Sequence, residues 1–336
     1  MNYRRSKLLR LAVSSSGALH EPTLSFLDKC GLSVSRTDVR KYTAEIPNLP
    51  NVTIHFQRGS DIPQNVESGN SDMGIVGEDR FIESSNENSD TEILINNLGF
   101  GQAELLIGIP DSWVDISTIA DLADLSIDFR ENKTDLRIAT KYPKSVENFL
   151  LKSGINHFSI IPSNGTLEIA PTMGYADLIA DISSTGTTLR SNRLKTIQGG
   201  TIMKSSCCLI SNSSMIRSDK KKLQAAIGLI ETIDAHLNAS TFLSVTANLK
   251  GDSPNSIAEL VLSEKLTAGI QGPTISQVYS KDSSCWYAVT VIIKKNELLP
   301  VLQRFRKLNA SSLSVTKPYY IFQNKSNAVE KLLGNS

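Results

Sequence analysis

The segment Asp181-Ile182-Ser183-Ser184-Thr185-Gly186-Thr187-Thr188-Leu189 combines a carboxylate, a run of hydroxyls, one glycine and a leucine that can open a helix. An apolar run over 176–182 delivers Asp181 at its end, which predicts a strand, an anion-sized turn and a helix start. Backbone N–H groups at a helix N-terminus, helped by short hydroxyls, hold a phosphate because the unsatisfied donors and the helix dipole point to the same place. Asp181, at the rim, can accept hydrogen bonds from ribose hydroxyls or help to hold a metal. The plain alternative is a strand–turn–helix connection with a threonine N-cap and no ligand.

Other residues have the chemistry for a supporting role. Ser14-Ser15-Ser16-Gly17-Ala18-Leu19 is a second small-residue turn, able to approach a ligand backbone-first. Arg40, Lys41 and Arg58 are available cations, whose plain reading is a solvated basic face. Glu78 and Asp79 stand at the end of a short buried strand. His20, His55, His157 and His236 are scattered and take no catalytic role. Cys30, Cys207, Cys208 and Cys285 have no C-x-x-C or zinc spacing, so they read as reduced, mostly buried thiols of a cytoplasmic protein.

These groups need a scaffold that holds them. A strand over 8–13 leads through the Ser14 turn into a helix over 21–30, then a strand over 52–57 ends at Arg58. Asp61 is a plausible N-cap for a helix with Pro63 in its first turn, and a buried strand follows over 72–77. Strand, helix, strand predicts a right-handed crossover and a mixed or parallel sheet. Glycines flanking Phe100 make a hinge, after which a second α/β stretch begins: strand 103–109, helix 117–125, strand 136–140, helix 145–153, strand 157–161. A strand over 205–210 returns toward the first lobe. Two α/β lobes joined by crossing strands place a ligand in the cleft beyond the carboxyl ends of the strands. From Asp219 a long amphipathic helix over 220–239 precedes a β-α-β-β-α-β order, the ferredoxin-like pattern of a sensor or a packing module.

The chain has 336 residues, enough for two or three domains. The predicted boundaries are 1–100 with about 196–215 for lobe I, 101–195 for lobe II and 219–336 for linker helix and C-terminal domain. With 35 basic and 34 acidic residues, charge is balanced, which argues against nucleic acid as the partner. No run approaches the ~20 apolar residues that cross a bilayer, and the basic start lacks the apolar core of a secretory signal.

Taken together, these segments resemble the long form of the ATP phosphoribosyltransferase family, closest to its plant-type branch. The resemblance runs from Gly165-Thr166-Leu167-Glu168 through Gly174-Tyr175-Ala176-Asp177 to Asp181 and the Ser184-to-Leu189 turn. Supporting stretches are Arg58 with Asp61-Ile62-Pro63, Asp72-Met73-Gly74-Ile75-Val76-Gly77, Arg137-Ile138-Ala139-Thr140, Gln271-Gly272-Pro273-Thr274 and Tyr319-Tyr320-Ile321-Phe322. It implies a two-lobed core like that of periplasmic binding proteins with a C-terminal ferredoxin-like (ACT-like) regulatory domain. It also implies a reaction, the first of histidine biosynthesis. N1 of ATP attacks C1 of phosphoribosyl pyrophosphate and displaces pyrophosphate, with Mg2+ present.

On that resemblance Ser184, Thr185, Gly186, Thr187 and Thr188 hold the 5-phosphate, Glu168 and Asp181 face the ribose hydroxyls, and Arg40 and Arg58 meet the charge that develops on pyrophosphate. Ser16, Gly17 and Asp79 are nucleotide or first-turn contacts. Histidine inhibits from a pocket to which Thr246, Asn248, Ser311 and Ser312 contribute, shifting dimers toward hexamers. One departure stands out: where the family opens its first helix with a Ser-Lys-Gly-Arg type turn, this chain has Ser16 and Ala18. Two other classes compete, a solute-binding protein with hinged lobes and a catalytically weak homologue that acts as a nucleotide- or histidine-binding regulatory partner.

Overall fold

Short apolar runs flanked by glycine and serine form strands, and the structure, a computed structural model, arranges them in three sheets. It describes residues 8–38, 40–86, 89–163, 165–184, 186–263, 265–279 and 285–335. The chain divides into two units, Met1–Ile227 with Ala328–Ser336, and Gly228–Asn327.

The first unit opens with β1 (Leu9–Ser14), α1 (His20–Lys29), β2 (Thr43–Glu45), β3 (Val52–Gln57), α2 (Ile62–Glu67), β4 (Met73–Gly77), α3 (Glu78–Ser84) and β5 (Thr91–Ile95). It continues with β6 (Ala103–Pro110), α4 (Ile119–Glu131), β7 (Leu136–Thr140), α5 (Pro143–Lys152), β8 (Phe158–Pro162), α6 (Ala170–Met173), β9 (Leu178–Ser183), α7 (Thr187–Ser191) and β10 (Leu194–Ser205). Then come β11 (Cys207–Asn212), α8 (Ser213–Arg217) and the first residues of α9 (Lys220–Ala239), which continues into the second unit. One sheet runs β2-β3-β1-β4-β11-β5 and the other β10-β6-β9-β7-β8. Buried parallel strands read as near-continuous apolar runs, as in β4, where every residue is buried.

The two sheets repeat one plan. The order β3-β1-β4-β11 matches β8-β7-β9-β6, with two parallel pairs followed by an antiparallel strand. The same ion pair marks both halves. On β1, Arg10 bonds Asp72 Oδ1 at 2.8 Å and the carbonyl of Gly69 at 2.9 Å. On β7, Arg137 bonds Asp177 Oδ1 at 2.9 Å and the carbonyl of Gly174 at 2.9 Å. By this correspondence, the start of α3 after β4 is the counterpart of the start of α7 after β9.

Local chemistry shifts some predicted boundaries. Asp61 does not cap α2: its backbone is already helical and its carboxylate accepts from the Ser60 hydroxyl instead. Helix α4 starts at a capping box between Thr118 and Asp121 and extends to Glu131, beyond the predicted 125. Strand β10 pairs with β6, so within the expected return segment of about 196–215 only the residues from Cys207 onward enter the first sheet.

The second unit contains β12 (Phe242–Lys250), α10 (Pro254–Leu262), β13 (Thr274–Val278), β14 (Trp286–Lys294), α11 (Leu298–Lys307) and β15 (Ser312–Thr316). Its antiparallel order β13-β14-β12-β15 is ferredoxin-like. Alternation in β12 buries Leu243, Val245, Ala247 and Leu249 against Ile257, Val261, Val301 and Phe305 of the two helices. Helix α12 (Asn327–Leu333) then returns to the first unit, where Arg217 bonds the Leu332 carbonyl at 2.9 Å and Lys331 that of Ile93 at 2.6 Å.

Candidate active site

A cavity of about 780 Å3 opens where the strands of the two lobes end, within the size range of small-molecule sites. Ser14, Ser16, Ala18 and Leu19 after β1 line it together with Gly59 and Ser60 after β3. Val76 and Gly77 at the end of β4, Asp79 and Arg80 of α3, Gly101 and Gln102 before β6 with Ala103 at its start, and Ile182 and Ser184 of β9 and its turn complete the wall. The chain crosses between lobes beside it: Leu98 N–H bonds the Cys207 carbonyl at 2.8 Å and Cys207 N–H the Phe100 carbonyl at 3.0 Å.

The hydroxyl turn has the form that the residues suggest, with one change. Gly186, not a threonine, takes the N-cap position of α7, at φ +70°, a left-handed conformation that glycine adopts without strain. Its N–H bonds Ser183 Oγ at 2.8 Å, which closes the turn. Helix α7 therefore opens at Thr187, ahead of Leu189, which is buried beneath it. Thr187 and Thr188 are exposed at this start, and Ser184 and Gly186 also line an adjoining cleft of about 460 Å3. Thr185 lies outside the described residues.

Asp181 sits on β9 opposite Leu106 of β6, with Oδ1 2.9 Å from the N–H of Ile182. Burial raises its pKa above the ordinary carboxylate value, and the like charge of Glu168 adds to this, whereas Lys141 and Arg80 act the other way. Glu168 lies in a short turn, Leu167–Ile169, half-buried. The charges of Glu168, Lys141 and Arg80 are thus felt at Asp181.

Asp79 is almost fully buried and ties the lobes together. The Tyr142 hydroxyl donates to its Oδ2 at 2.7 Å and the Ser205 hydroxyl to its Oδ1 at 2.6 Å. Its neighbour Glu83 caps α5 of the other lobe, accepting from Lys144 N–H at 2.8 Å and Ser145 N–H at 3.0 Å. Burial, reinforced by Asp79, holds the Tyr142 phenol well above its usual pKa, so it stays a donor at neutral pH. Tyr142→Phe should therefore destabilise the protein by roughly 1–3 kcal/mol, the cost of leaving a buried acceptor short of a donor, measured by urea unfolding.

Ser16, Asp79 and Ser184 are brought to one cavity, with Gly17 in the Ser16 turn at φ +83°. Arg40 and Arg58 are exposed and do not line it; Arg58 directly precedes the lining residue Gly59. In the second unit Thr246 and Asn248 share the helix-free face of the sheet, with Thr246 Oγ1 2.9 Å from Thr290 Oγ1. Asn248 pairs with Ser312 and takes the Ser311 N–H at 3.0 Å. Arg80, Tyr142 and Ser205 do not emerge from sequence reading, although the run Glu78-Asp79-Arg80 directly after a buried strand is the charged cluster that points to them. Burial pushes the Cys30 and Cys207 thiols up to about 12, so both are packing groups. Among the described residues no three potential ligands cluster to hold a metal, and no helix is long and apolar enough to cross a membrane.

A family profile described as ATP phosphoribosyltransferase matches residues 58–232, and one described as the HisG C-terminal domain matches 239–317. The chain is 35% identical over 333 residues to ATP phosphoribosyltransferase 1, chloroplastic, of Arabidopsis thaliana, covering 97% of this chain and 80% of that one. It is 31% identical over 320 residues to ATP phosphoribosyltransferase of Nitrobacter hamburgensis, covering 95% of each. Among solved structures, the ATP phosphoribosyl transferase (HisG:HisZ) complex from Thermotoga maritima matches with TM-score 0.51 at 23% identity. That likeness, over 67% of this chain and 96% of that chain, concerns the fold.

Proposed function

The chain belongs to the ATP phosphoribosyltransferase family of histidine biosynthesis, and from that membership we propose that it transfers phosphoribose from phosphoribosyl pyrophosphate to N1 of ATP in the cavity between its two lobes. The observation that carries this is the Ser183–Thr188 turn, closed by Gly186, whose Ser184 lines that cavity while Ser183, Ser184 and Gly186 line the adjoining cleft, with Asp181 just before it on β9. The turn receives the 5-phosphate, with Ser184, Thr187 and Thr188 as donors. Asp181 and Glu168 accept from the ribose hydroxyls and stabilise positive charge that develops at C1 as the diphosphate leaves. Arg58, beside the lining at Gly59, is a rim cation; Arg40 lies on open surface.

Mg2+ fits this donor set as a substrate-borne ion. Magnesium commonly binds through phosphates plus one or two carboxylates, and Asp181 with Glu168 offers such a pair where a three-ligand protein cage is absent from the described residues. When bound it neutralises diphosphate charge; the residues here orient the sugar. Thr246, Asn248, Ser311 and Ser312, adjacent across β12 and β15, support a histidine pocket on the regulatory unit, which would act by binding the less active arrangement more tightly. The division into two catalytic lobes and a regulatory domain, a dimer-to-hexamer assembly and a cytoplasmic location complete the proposal; the Arabidopsis relatives are named chloroplastic.

Ser16 and Ala18 favour a second reading, a weakly active homologue that regulates by binding. Turnover separates the two. With ATP, phosphoribosyl pyrophosphate and magnesium, product should form, cease with EDTA, return with excess magnesium and decrease with histidine. No turnover from folded protein that still binds phosphoribosyl pyrophosphate would select the regulatory homologue.

A further inference from the structure

The cavity between the lobes must face a diphosphate, yet its first turn presents Ser16 and Ala18 where related enzymes are expected to place two cations. Among the described residues that line the cavity, Arg80 is the one lysine or arginine. It lies in the first turn of α3, directly after Asp79.

Its guanidinium is held on two sides. Cζ lies 4.4 Å over the ring of Tyr142, and Nε is 3.9 Å from Asp79 Oδ2. That separation is an ion pair without a hydrogen bond, and Asp79 already accepts from Tyr142 and Ser205. Arg80 is thus oriented by stacking and charge while its N–H donors stay unspent among the described residues, and its side chain is about one-third exposed, at 32%. A planar fork fixed in this way suits bidentate binding of phosphate oxygens.

Its place in the fold matches this chemistry. The start of α3 after β4 is the lobe I counterpart of the start of α7 after β9, where the hydroxyl turn stands. One lobe therefore offers N–H and hydroxyl donors to one anionic group, and the other offers a cation to a second. A ribose with a phosphate at C5 and a diphosphate at C1 carries two such groups.

Resting on the phosphoribosyl transfer reading above, we propose that Arg80 binds the diphosphate of phosphoribosyl pyrophosphate and receives the charge of the departing pyrophosphate, in place of the cations absent at Ser16 and Ala18. As the N1–C1 bond forms, the C1–O bond breaks and its electron pair leaves with pyrophosphate. Arg80 is the fixed positive group for that pair.

The test uses the full chain with Arg80→Met, Arg80→Lys and the double variant Arg80→Met with Ala18→Arg. Calorimetry with inorganic pyrophosphate plus magnesium, and separately with ribose 5-phosphate, is read beside steady-state turnover. Arg80→Met should weaken pyrophosphate at least about tenfold and lower kcat/KM for phosphoribosyl pyrophosphate by about 10²-fold, with ribose 5-phosphate within about twofold of wild type. Arg80→Lys should fall between, and Ala18→Arg should restore about tenfold of the lost kcat/KM. Equal weakening of both ligands would assign Arg80 a packing role through Tyr142 and overturn the proposal. So would unchanged pyrophosphate affinity in Arg80→Met while the wild type turns over. A wild type without turnover whose pyrophosphate binding is still lost in Arg80→Met would overturn the catalytic reading and leave the Arg80 site standing.

Discussion

Asp181→Asn should lower kcat/KM for phosphoribosyl pyrophosphate by about 10²–10³-fold, the range for removing one preorganised electrostatic group from an active site, while leaving the fold at least as stable as wild type. The second half follows from the direction of its pKa shift. Burial first, and Glu168 next, raise the folded-state value above the unfolded one. The folded chain then holds the proton more tightly, so ionising Asp181 costs stability as pH rises from the unfolded value through the folded value. At pH 7 the wild type bears that cost in full and asparagine removes it. A carboxylate kept for structure would show the opposite, a lower melting temperature on substitution. The same shift places the acid limb of the wild-type kcat/KM profile above ~3.9, the ordinary aspartate value.

Asp72→Asn should destabilise the first unit by about 3–5 kcal/mol, because it leaves buried cations without their counter-charge. The Asp72 side chain is 1% exposed and holds Arg10 at 2.8 Å and Lys222 Nζ at 2.8 Å. Burial pushes its pKa up, but hydrogen bonds from Arg10 and Lys222 outweigh that and the net direction is down. Its contribution is therefore present above the unfolded pKa and lost as pH falls through the folded one. In urea unfolding the wild type should lose stability steeply below about pH 4, and Asp72→Asn should lose less there while being weaker at neutral pH. Turnover per folded molecule should stay near wild type, since neither Asp72 nor Lys222 lines the cavity. Equal stability of the two proteins at pH 7 would contradict this account of the network.

Much of this architecture is legible in the residues. β3 and β7 fall where the sequence places them, and α9 does too, because short apolar or alternating runs bounded by turn residues and a long amphipathic period leave few alternatives. The Asp181 turn is legible for a different reason: hydroxyls around one glycine at the end of an apolar run mark a tight turn that leads into a helix. β10 is not legible. Its burial follows no period of two, Gly199 and Gly200 interrupt it, and its register with β6 shifts between Thr196 and Thr201. Three-residue β2 carries too little pattern to announce a strand.

The supports of the site are hidden by distance along the chain. Tyr142 reaches Asp79 from 63 residues away and Ser205 from 126, and nothing local in either segment signals the partner. Arg80 is set over Tyr142 by that same long-range arrangement. The repeated Gly-x-x-Asp at Gly69 to Asp72 and Gly174 to Asp177 was the available clue that the lobes share a plan. That repeat pairs the start of α3 with the start of α7.

The proposed reaction in this cavity joins phosphoribose to ATP. The most direct measurement incubates the folded wild-type chain with ATP, phosphoribosyl pyrophosphate and magnesium, identifies the nucleotide product by mass and counts pyrophosphate released. N1-phosphoribosyl-ATP and pyrophosphate are expected in equal amounts, both formed about 10²–10³-fold more slowly by Asp181→Asn. Recovery of both substrates unchanged from the folded wild type would contradict it.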